Sequence, residues 1–348
     1  MRSYKEHLIS VDATIKEALI LLDNLAIDAI LFAVDTNQKL IGSLTDGDVR
    51  RGILKDLSLD DKVSTFIQPQ PKFIRKGSYN IQEIITMREK NFMVIPVINS
   101  SNQIVNVINF RLQKSYLPVD AVIMAGGLGS RLKPLTDHTP KPLLKVGDKA
   151  IIDHNIDRLR KFGVDDYWIS VRYLGEQLEN HFLDGSSRNI NVEYVWENTP
   201  LGTIGAVGKI ENFHHDYVLV TNSDILTTLN YEDFFLDFID KAADMAVVTI
   251  PYQVNIPYAV METENNLVLS FKEKPTYTYF SNGGIYLIKR SILDKIPKGL
   301  HYNSTDLMEQ VIADGGKLIS YPIREYWLDI GKHEDFNQAQ EDIKNLKL

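Results

Sequence analysis

Three glycines and two basic residues follow a short apolar run near the middle of the chain. Residues 121–124 read as a buried strand. They lead into a loop made of Ala125, Gly126, Gly127, Leu128, Gly129 and Ser130, after which come Arg131 and, ten residues on, Lys141. Glycines let backbone N–H groups approach a polyanion closely, while Arg and Lys add full positive charges for phosphate oxygens. The stretch therefore predicts a phosphate-binding loop.

Two common glycine loops do not fit this stretch. A P-loop needs Gly-Lys-Ser/Thr after its glycines, and none follows here. A dinucleotide-binding loop needs a third glycine at the position that Leu132 occupies. An ordinary strand-to-loop turn stays open as the alternative.

Two aspartates far apart in the sequence are candidate ligands of a hard divalent cation. Asp224 lies two residues after the apolar run 217–222, which reads as a central strand, and ligands collect at the carboxyl ends of such strands. A helix N-cap is the alternative role for Asp224. Asp329 lies among Trp327, Leu328 and Ile330, which predicts a partly buried carboxylate that needs a cation or donors.

The elements that carry these residues alternate between strand and helix. Strands are predicted at 167–171, 192–196, 217–222 and 246–251, with helices at 151–162 and 334–343. This order indicates an α/β domain with a largely parallel sheet. A chain of 348 residues fits two domains, and the polar segment Gln113–Pro118 is the expected boundary between residues 1–115 and 118–348.

The first 115 residues contain a weak internal repeat. In the first copy a helix is expected to begin after Thr14, and strands are expected at 30–34 and 40–44. The second copy has a helical stretch from Asn80 to Lys90 and strands at 94–98 and 104–108. Each copy is too short to bury its own faces, so the two are expected to pack together as one domain.

Composition excludes several classes of protein. The absence of cysteine removes disulfides, thiol nucleophiles and cysteine metal sites. A net charge of −8 argues against a nucleic-acid partner. Because no window approaches the roughly 18 apolar residues of a membrane span, we expect no membrane partner and a soluble, cytoplasmic protein.

The stretch from Gly126 to Leu132, continued by Pro140-Lys141-Pro142, resembles the signature of the sugar-1-phosphate nucleotidyltransferases. The resemblance covers about two thirds of the chain, from Pro118 to Asp342. It implies an α/β fold with a Rossmann-like, mixed and largely parallel sheet. It also implies that Mg²⁺ is the cofactor, bound by Asp224 and Asp329.

The same resemblance implies roles for other residues. Arg131, Lys141, Asp224 and Lys274 would serve catalysis, and residues 125–130 would bind the nucleotide. In the segment Glu273-Lys274-Pro275, Glu273 would accept sugar hydroxyls and Lys274 would meet the sugar phosphate. Asn282 and Gly283 would lie beside the sugar ring, and Gly202 would approach the ligand with its backbone.

Glu197, five residues before Gly202, bears on the choice of base. By resemblance this position faces the base, and a carboxylate accepts both N–H donors of guanine, whereas the acceptors of uracil or thymine would repel it. GTP and a sugar 1-phosphate are therefore the expected substrates. A thymidylyl-, uridylyl- or cytidylyltransferase and a non-catalytic nucleotide sensor are the alternatives, and the sugar stays open.

The segment 42–51 resembles the end of a CBS motif, so the repeat resembles an α+β CBS pair. In that family the Thr and Asp of Thr-x-x-Asp hold a ribose, which implies Thr45 and Asp48 here, and Arg50 or Arg51 could meet a phosphate. The resemblance predicts an adenine nucleotide at this site and a homo-oligomer. A structural or dimerising module without a ligand is the alternative.

Overall fold

A computed structural model describes residues 3–346 and divides into two compact units. The first comprises Met1–Pro118, Leu159–Tyr167 and Phe182–Val192, and the second comprises the remaining segments, beginning at Val119. Within the described residues, no helix is both long and apolar enough to cross a membrane.

The first unit contains two copies of one β-α-β-β motif. Its elements are β1 (Leu8–Ser10), α1 (Ile15–Leu25), β2 (Ile30–Val34), β3 (Leu40–Thr45), α2 (Asp46–Ile53), β4 (Ile74–Arg75), α3 (Ile81–Glu89), β5 (Val94–Ile98) and β6 (Ile104–Asn109). In both copies the first strand pairs in parallel with the second, which pairs antiparallel with the third. The predicted repeat is confirmed.

The two copies share a core, as expected. Phe32 and Val34 of the first copy pack with Ile98 and Ile104 of the second. Thr14 caps α1 through a capping box with Glu17, which explains why the helix begins there. Helix α2, directly after β3, was not predicted, because its residues resembled a ligand-binding motif rather than a helix.

The second unit is built on a seven-stranded sheet. Its elements, with those that continue into the first unit, are β7 (Val119–Met124), β8 (Lys145–Val146), β9 (Lys149–Ala150), α4 (Ile151–Lys161), β10 (Asp166–Val171), α5 (Gly175–Phe182), β11 (Asn191–Trp196), β12 (Tyr217–Asn222), β13 (Ile225–Thr227), α6 (Tyr231–Asp240), β14 (Met245–Asn255), β15 (Val260–Glu264), β16 (Leu267–Lys272), β17 (Thr276–Lys289), α7 (Arg290–Leu293), α8 (Ser304–Ala313), β18 (Leu318–Pro322), β19 (Trp327–Asp329) and α9 (His333–Asp342).

The strand order of this sheet is β11-β10-β7-β12-β17-β14-β18. β7 and β12 are parallel neighbours, as are β14 and β18, whereas β17 is antiparallel to both strands beside it. The apolar residues of β12 are buried because the strand lies in the middle of the sheet. The prediction of a mixed, largely parallel α/β sheet with β12 at its centre is confirmed.

Strands β14 and β17 continue beyond the sheet as a two-stranded ribbon. β14 pairs with β18 only as far as Thr249, but it pairs with β17 as far as Asn255 opposite Thr276. At the far end β15 and β16 form a hairpin that pairs only with itself. We call residues 251–281 the arm.

Candidate active site

The glycine loop leaves the carboxyl end of β7, beside β12 in the middle of the sheet. Gly129 has φ of 62°, a left-handed conformation that favours glycine. A Cβ at Gly126 would lie 2.6 Å from Oε1 of Glu197, whereas a Cβ at Gly127 would meet nothing within 4 Å. The backbone conformation therefore favours glycine at position 129, and the close approach of a carboxylate favours glycine at position 126.

A cavity of about 390 Å³ opens beneath this loop. It is lined by residues from several separate parts of the second unit: Met124, Ala125, Gly126, Gly127, Gly129, Ser130, Arg131, Lys141, Pro142, Arg172, Glu197, Pro200, Leu201, Gly202, Thr203, Asn222, Ser223, Asp224, His301 and Gly331. We call it the loop cavity. Of the residues expected to bind the nucleotide, Leu128 alone is absent from this lining, and its side chain is exposed.

Asp224 and Asp329 are brought together by backbone pairing. β13 and β19 are antiparallel with Ile225 opposite Asp329, and the N–H of Ile330 donates to the carbonyl of Asp224 at 3.0 Å. Nζ of Lys141 donates to Oδ2 of Asp224. Arg131 reaches the same region, because a Cβ at Gly331 would lie 3.3 Å from its Nη2.

The two carboxylates carry free oxygen atoms suited to a cation. Within residues 3–346, Oδ1 of Asp224 and Oδ1 of Asp329 are buried and have no hydrogen-bond partner. Burial raises the pKa of Asp329 to about 6, with the charge of Asp224 adding to this rise and those of Lys141 and Arg131 opposing it. Unpaired buried carboxylate oxygens are unfavourable, so this pair could hold a hard divalent cation such as Mg²⁺.

Glu197 is buried at the wall of the loop cavity, with 6% of its surface exposed. Its Oε1 accepts a hydrogen bond from the hydroxyl of Ser170, and its Oε2 accepts one from the N–H of Leu201 at 3.1 Å. Glu197 is therefore a buried residue and not a solvated strand end. Each carboxylate oxygen keeps capacity for one more donor.

A second cavity of about 290 Å³ shares Thr203 and Asn222 with the first. Asn282, Gly283 and Asp329 contribute to its lining. Oδ1 of Asn282 accepts from the N–H of Gly284 at 2.9 Å and from the hydroxyl of Tyr286 at 3.0 Å, which holds the amide in place. We call this the side cavity.

The structure does not bring every candidate residue to these cavities. Glu273 and Lys274 are exposed on the arm and line neither cavity. In the first unit, Thr45 and Asp48 form the capping box of α2, and Asp48 also accepts from Arg51 at 2.5 Å and Gln68 at 3.1 Å. Arg50 lies in the last turn of the same helix.

Sequence reasoning missed several residues of the loop cavity. Arg172 lines the cavity, and its Nε donates to the carbonyl of Gly126 at 3.2 Å. Ser170, one residue before the end of β10, holds Glu197 through its hydroxyl. Their position at the carboxyl end of the predicted strand 167–171 was the available signal. No sequence signal pointed to His301.

Comparison with known proteins gives two family matches. The family model described as nucleotidyl transferase matches residues 120–345, and the CBS domain model matches residues 4–55. A mannose-1-phosphate guanylyltransferase of Mycobacterium tuberculosis is 33% identical over 236 residues, covering 65% of this chain and 64% of that protein. A UTP–glucose-1-phosphate uridylyltransferase of Synechocystis is 28% identical over 253 residues, covering 66% and 65%.

The chain thus spans just under two thirds of the length of these curated relatives. Among solved structures, HddC from Yersinia pseudotuberculosis is 25% identical, with a TM-score of 0.51, and the match covers 65% of this chain and 99% of that one. The same protein complexed with GMP-PN matches with a TM-score of 0.50 over the same shares.

Proposed function

Because the chain belongs to the nucleotidyl transferase family, we propose that it transfers GMP from GTP to a sugar 1-phosphate and releases pyrophosphate. The observation that carries this proposal is the assembly of Lys141, Asp224 and Asp329 beside the glycine loop. These groups meet the needs of nucleotidyl transfer, which are to bring two polyanions together and to neutralise the charge that develops.

In the proposed reaction an oxygen of the sugar phosphate attacks the α-phosphorus of GTP in line. Backbone N–H groups of residues 125–130 and the side chain of Arg131 hold the triphosphate. The side chain of Lys141 pairs with Asp224 and is only 12% exposed. It therefore supplies a fixed positive charge with little solvent screening. Mg²⁺ bound by the free oxygens of Asp224 and Asp329 would add charge neutralisation at the reacting phosphates.

Glu197 supports guanine as the base. Glu197 is part of the cavity wall and each of its two oxygens has one acceptor position left, while guanine offers two adjacent N–H donors. The guanylyltransferase relative and the GMP-PN complex of HddC also favour GTP as the nucleotide. Because another relative is a uridylyltransferase, UTP is the second candidate.

Pyrophosphate release tests the proposal. The purified chain is incubated with Mg²⁺, each of GTP, UTP, dTTP, CTP and ATP, and each of a panel of sugar 1-phosphates. We expect release with GTP and one sugar, loss of release in EDTA, and no release from Asp224→Asn. If no pair of nucleotide and sugar 1-phosphate released pyrophosphate, the proposal would be contradicted. Release with UTP but not with GTP would contradict only the assignment of guanine as the base.

We further propose that residues 118–348 form the catalytic domain and residues 1–115 a CBS pair that binds an adenine nucleotide. Thr45 and Asp48 would have to exchange their mutual hydrogen bond for ribose hydroxyls. Calorimetry of the full chain with AMP, ADP and ATP tests this. We expect an adenine nucleotide to bind to the wild-type chain and not to the Thr45→Val variant. Equal heats of binding for the variant and the wild type would indicate that Thr45 has a structural role only.

A further inference from the structure

The two ends of the glycine loop differ in charge. At one end a Cβ on Gly129 would lie 3.1 Å from the Cβ of Lys141, so this end adjoins a positive side chain. At the other end a Cβ on Gly126 would lie 2.6 Å from Oε1 of Glu197, which is buried. Phosphates are attracted by a cation and repelled by a carboxylate. The charges therefore favour the base of a bound nucleotide, rather than its phosphates, at the Gly126 end.

Arg172 lies at the same end as Glu197. It directly follows β10 and lines the loop cavity, and its Nε donates to the carbonyl of Gly126 at 3.2 Å. The N–H of Glu197 donates to the carbonyl of Val171 at 3.0 Å, so the backbones that carry the two side chains are neighbours. Gly126 is therefore contacted by a guanidinium group and closely approached by a carboxylate.

The guanidinium group of Arg172 keeps donors for a ligand. Arginine has five N–H donors, and the hydrogen bond to Gly126 uses the one on Nε. Within residues 3–346 Arg172 forms no ion pair, whereas Lys141 in the same cavity pairs with Asp224. The side chain is half-buried. Its Nη atoms can thus donate to an acceptor that enters the cavity.

The Watson–Crick edge of guanine suits this pair of side chains. It presents the acceptor O6 beside two donors, N1–H and N2–H₂. A guanidinium group matches the acceptor, and a carboxylate matches the two donors. Adenine and cytosine carry an amino donor where guanine has O6, and uracil and thymine have an acceptor on each side of one N–H. Guanine alone among these bases complements both side chains.

We propose that Arg172 donates from its Nη atoms to O6 of guanine while Glu197 accepts from N1–H and N2–H₂. The inference rests on the proposed function, because it describes how the nucleotide of that reaction is recognised. Arg172 is then a specificity-determining residue that disfavours adenine and cytosine, and Glu197 disfavours uracil and thymine.

Analogues that change one group of the base test the two residues separately. 6-Thio-GTP keeps both donors and replaces O6 with sulfur, a weaker acceptor, whereas ITP keeps O6 and N1–H and lacks the 2-amino group. For the wild type we expect kcat/KM to be about 10-fold lower with either analogue than with GTP. Arg172→Met keeps the length of the side chain and removes its donors, so it should abolish the discrimination against 6-thio-GTP and keep that against ITP.

The reciprocal variant is Glu197→Gln, which should weaken the discrimination against ITP and keep that against 6-thio-GTP. Each ratio compares two nucleotides on one preparation, so a variant that folds less completely gives the same ratio. If Arg172→Met discriminates against 6-thio-GTP as strongly as the wild type does, the inference is overturned. Equal kcat/KM of the wild type for GTP and 6-thio-GTP would also overturn it.

Tyr173→Phe is the matched control. The hydroxyl of Tyr173 donates to the carbonyls of Thr136 and Asp137 at 3.1 Å each, so it holds the segment after the glycine loop. In the described part of the chain, Tyr173 is not among the residues that line the loop cavity. We expect both ratios to keep their wild-type values. A loss of discrimination against 6-thio-GTP in this control as well would indicate that Arg172 acts by holding the loop, and would overturn the inference.

Calorimetry gives a readout that does not depend on turnover. The full chain is titrated in Mg²⁺ with GTP, 6-thio-GTP, ITP and UTP, without a sugar. We expect GTP to bind about 10-fold more tightly than either purine analogue, and Arg172→Met to bind GTP and 6-thio-GTP equally. Tighter binding of UTP than of GTP would contradict guanine as the base, and this inference with it. A preference for GTP over 6-thio-GTP that persists in Arg172→Met would overturn this inference alone.

Discussion

Glu197 is held by the protein before any ligand arrives. The hydroxyl of Ser170 and the N–H of Leu201 fix its two oxygens at the wall of the loop cavity. In the proposed role, a carboxylate fixed in this way would lose little conformational entropy on binding a base, and it would reject bases that present acceptors instead of donors.

Changing Glu197 to Gln tests its role in the choice of base. The amide presents one acceptor and one donor in place of two acceptors, so we expect kcat/KM for GTP to fall by about 10- to 100-fold, the usual value of a hydrogen bond to a charged group. Steady-state kinetics with GTP and UTP measure this change. An equal loss for both nucleotides would indicate a structural role rather than base recognition.

The fold shifts the ionisation of Asp329 towards neutral pH. Burial, together with the charge of Asp224, raises its pKa to about 6, above the value of about 4 in an unfolded chain. Between these values the folded metal-free protein binds a proton that the unfolded chain does not. The contribution of Asp329 to the stability of the folded protein therefore falls as the pH rises through this window.

We expect Asp329→Asn to stabilise the metal-free protein near pH 8 and to leave its stability almost unchanged near pH 4, where Asp329 is protonated. Urea unfolding in EDTA at the two pH values measures this. Addition of Mg²⁺ should stabilise the wild type and not the variant, because the ligand is lost. A variant less stable than wild type near pH 8 in EDTA would contradict the prediction.

At the level of elements, the glycine loop offers a matched pair of substitutions. Gly126→Ala places a Cβ against the fixed carboxylate of Glu197, and we expect a loss of about 1–3 kcal/mol in the free energy of unfolding. Gly127→Ala meets open space, so its effect should stay within about 1 kcal/mol and can be stabilising. Urea denaturation of both variants checks this, and equal losses would contradict it.

Helix α2 shows how one short pattern serves two purposes. Thr-x-x-Asp is a capping box as well as a ribose-binding motif, and Thr45 and Asp48 form the box. Burial works against the ionised form of Asp48, but hydrogen bonds from Thr45, Arg51 and Gln68 prevail and lower its pKa.

The stability that Asp48 adds is present above its unfolded pKa and is lost as the pH falls through its lower folded value. We therefore expect Asp48→Asn to cost about 1 kcal/mol at neutral pH, the usual value of a helix cap. This difference should shrink below about pH 4. Thermal unfolding across pH measures it, and a cost that persists in acid would point to packing instead.

At the scale of the whole molecule, elements whose signals are local were predictable from the sequence. The helix after Thr14, the strand at 217–222 and the repeat in the first unit are confirmed, because capping residues and apolar runs act within a few positions. Asp224 lines the loop cavity, in keeping with the rule that ligands collect at the carboxyl ends of strands, and Lys141, singled out as a basic residue after the glycine loop, lines the same cavity.

The features that were not predictable depend on distant partners. The alternating Leu267, Leu269 and Phe271 are typical of a strand buried within its own domain, yet the structure exposes all three. Ser170 became a site residue because β10 lies next to β7, a neighbour that no local pattern specifies. Side-chain periodicity indicates that a face will be covered but not which surface covers it.

The ladder between β13 and β19 sets the order in which the site is completed during synthesis. Asp329 reaches Asp224 only through this ladder, which joins residues about one hundred positions apart. A ribosome must therefore release the segment 327–329 before both carboxylates face each other. A slip of one residue in the ladder would turn the Asp329 side chain to the opposite face. A nascent chain that stops earlier could fold its seven-stranded sheet and still lack one of its two acidic groups.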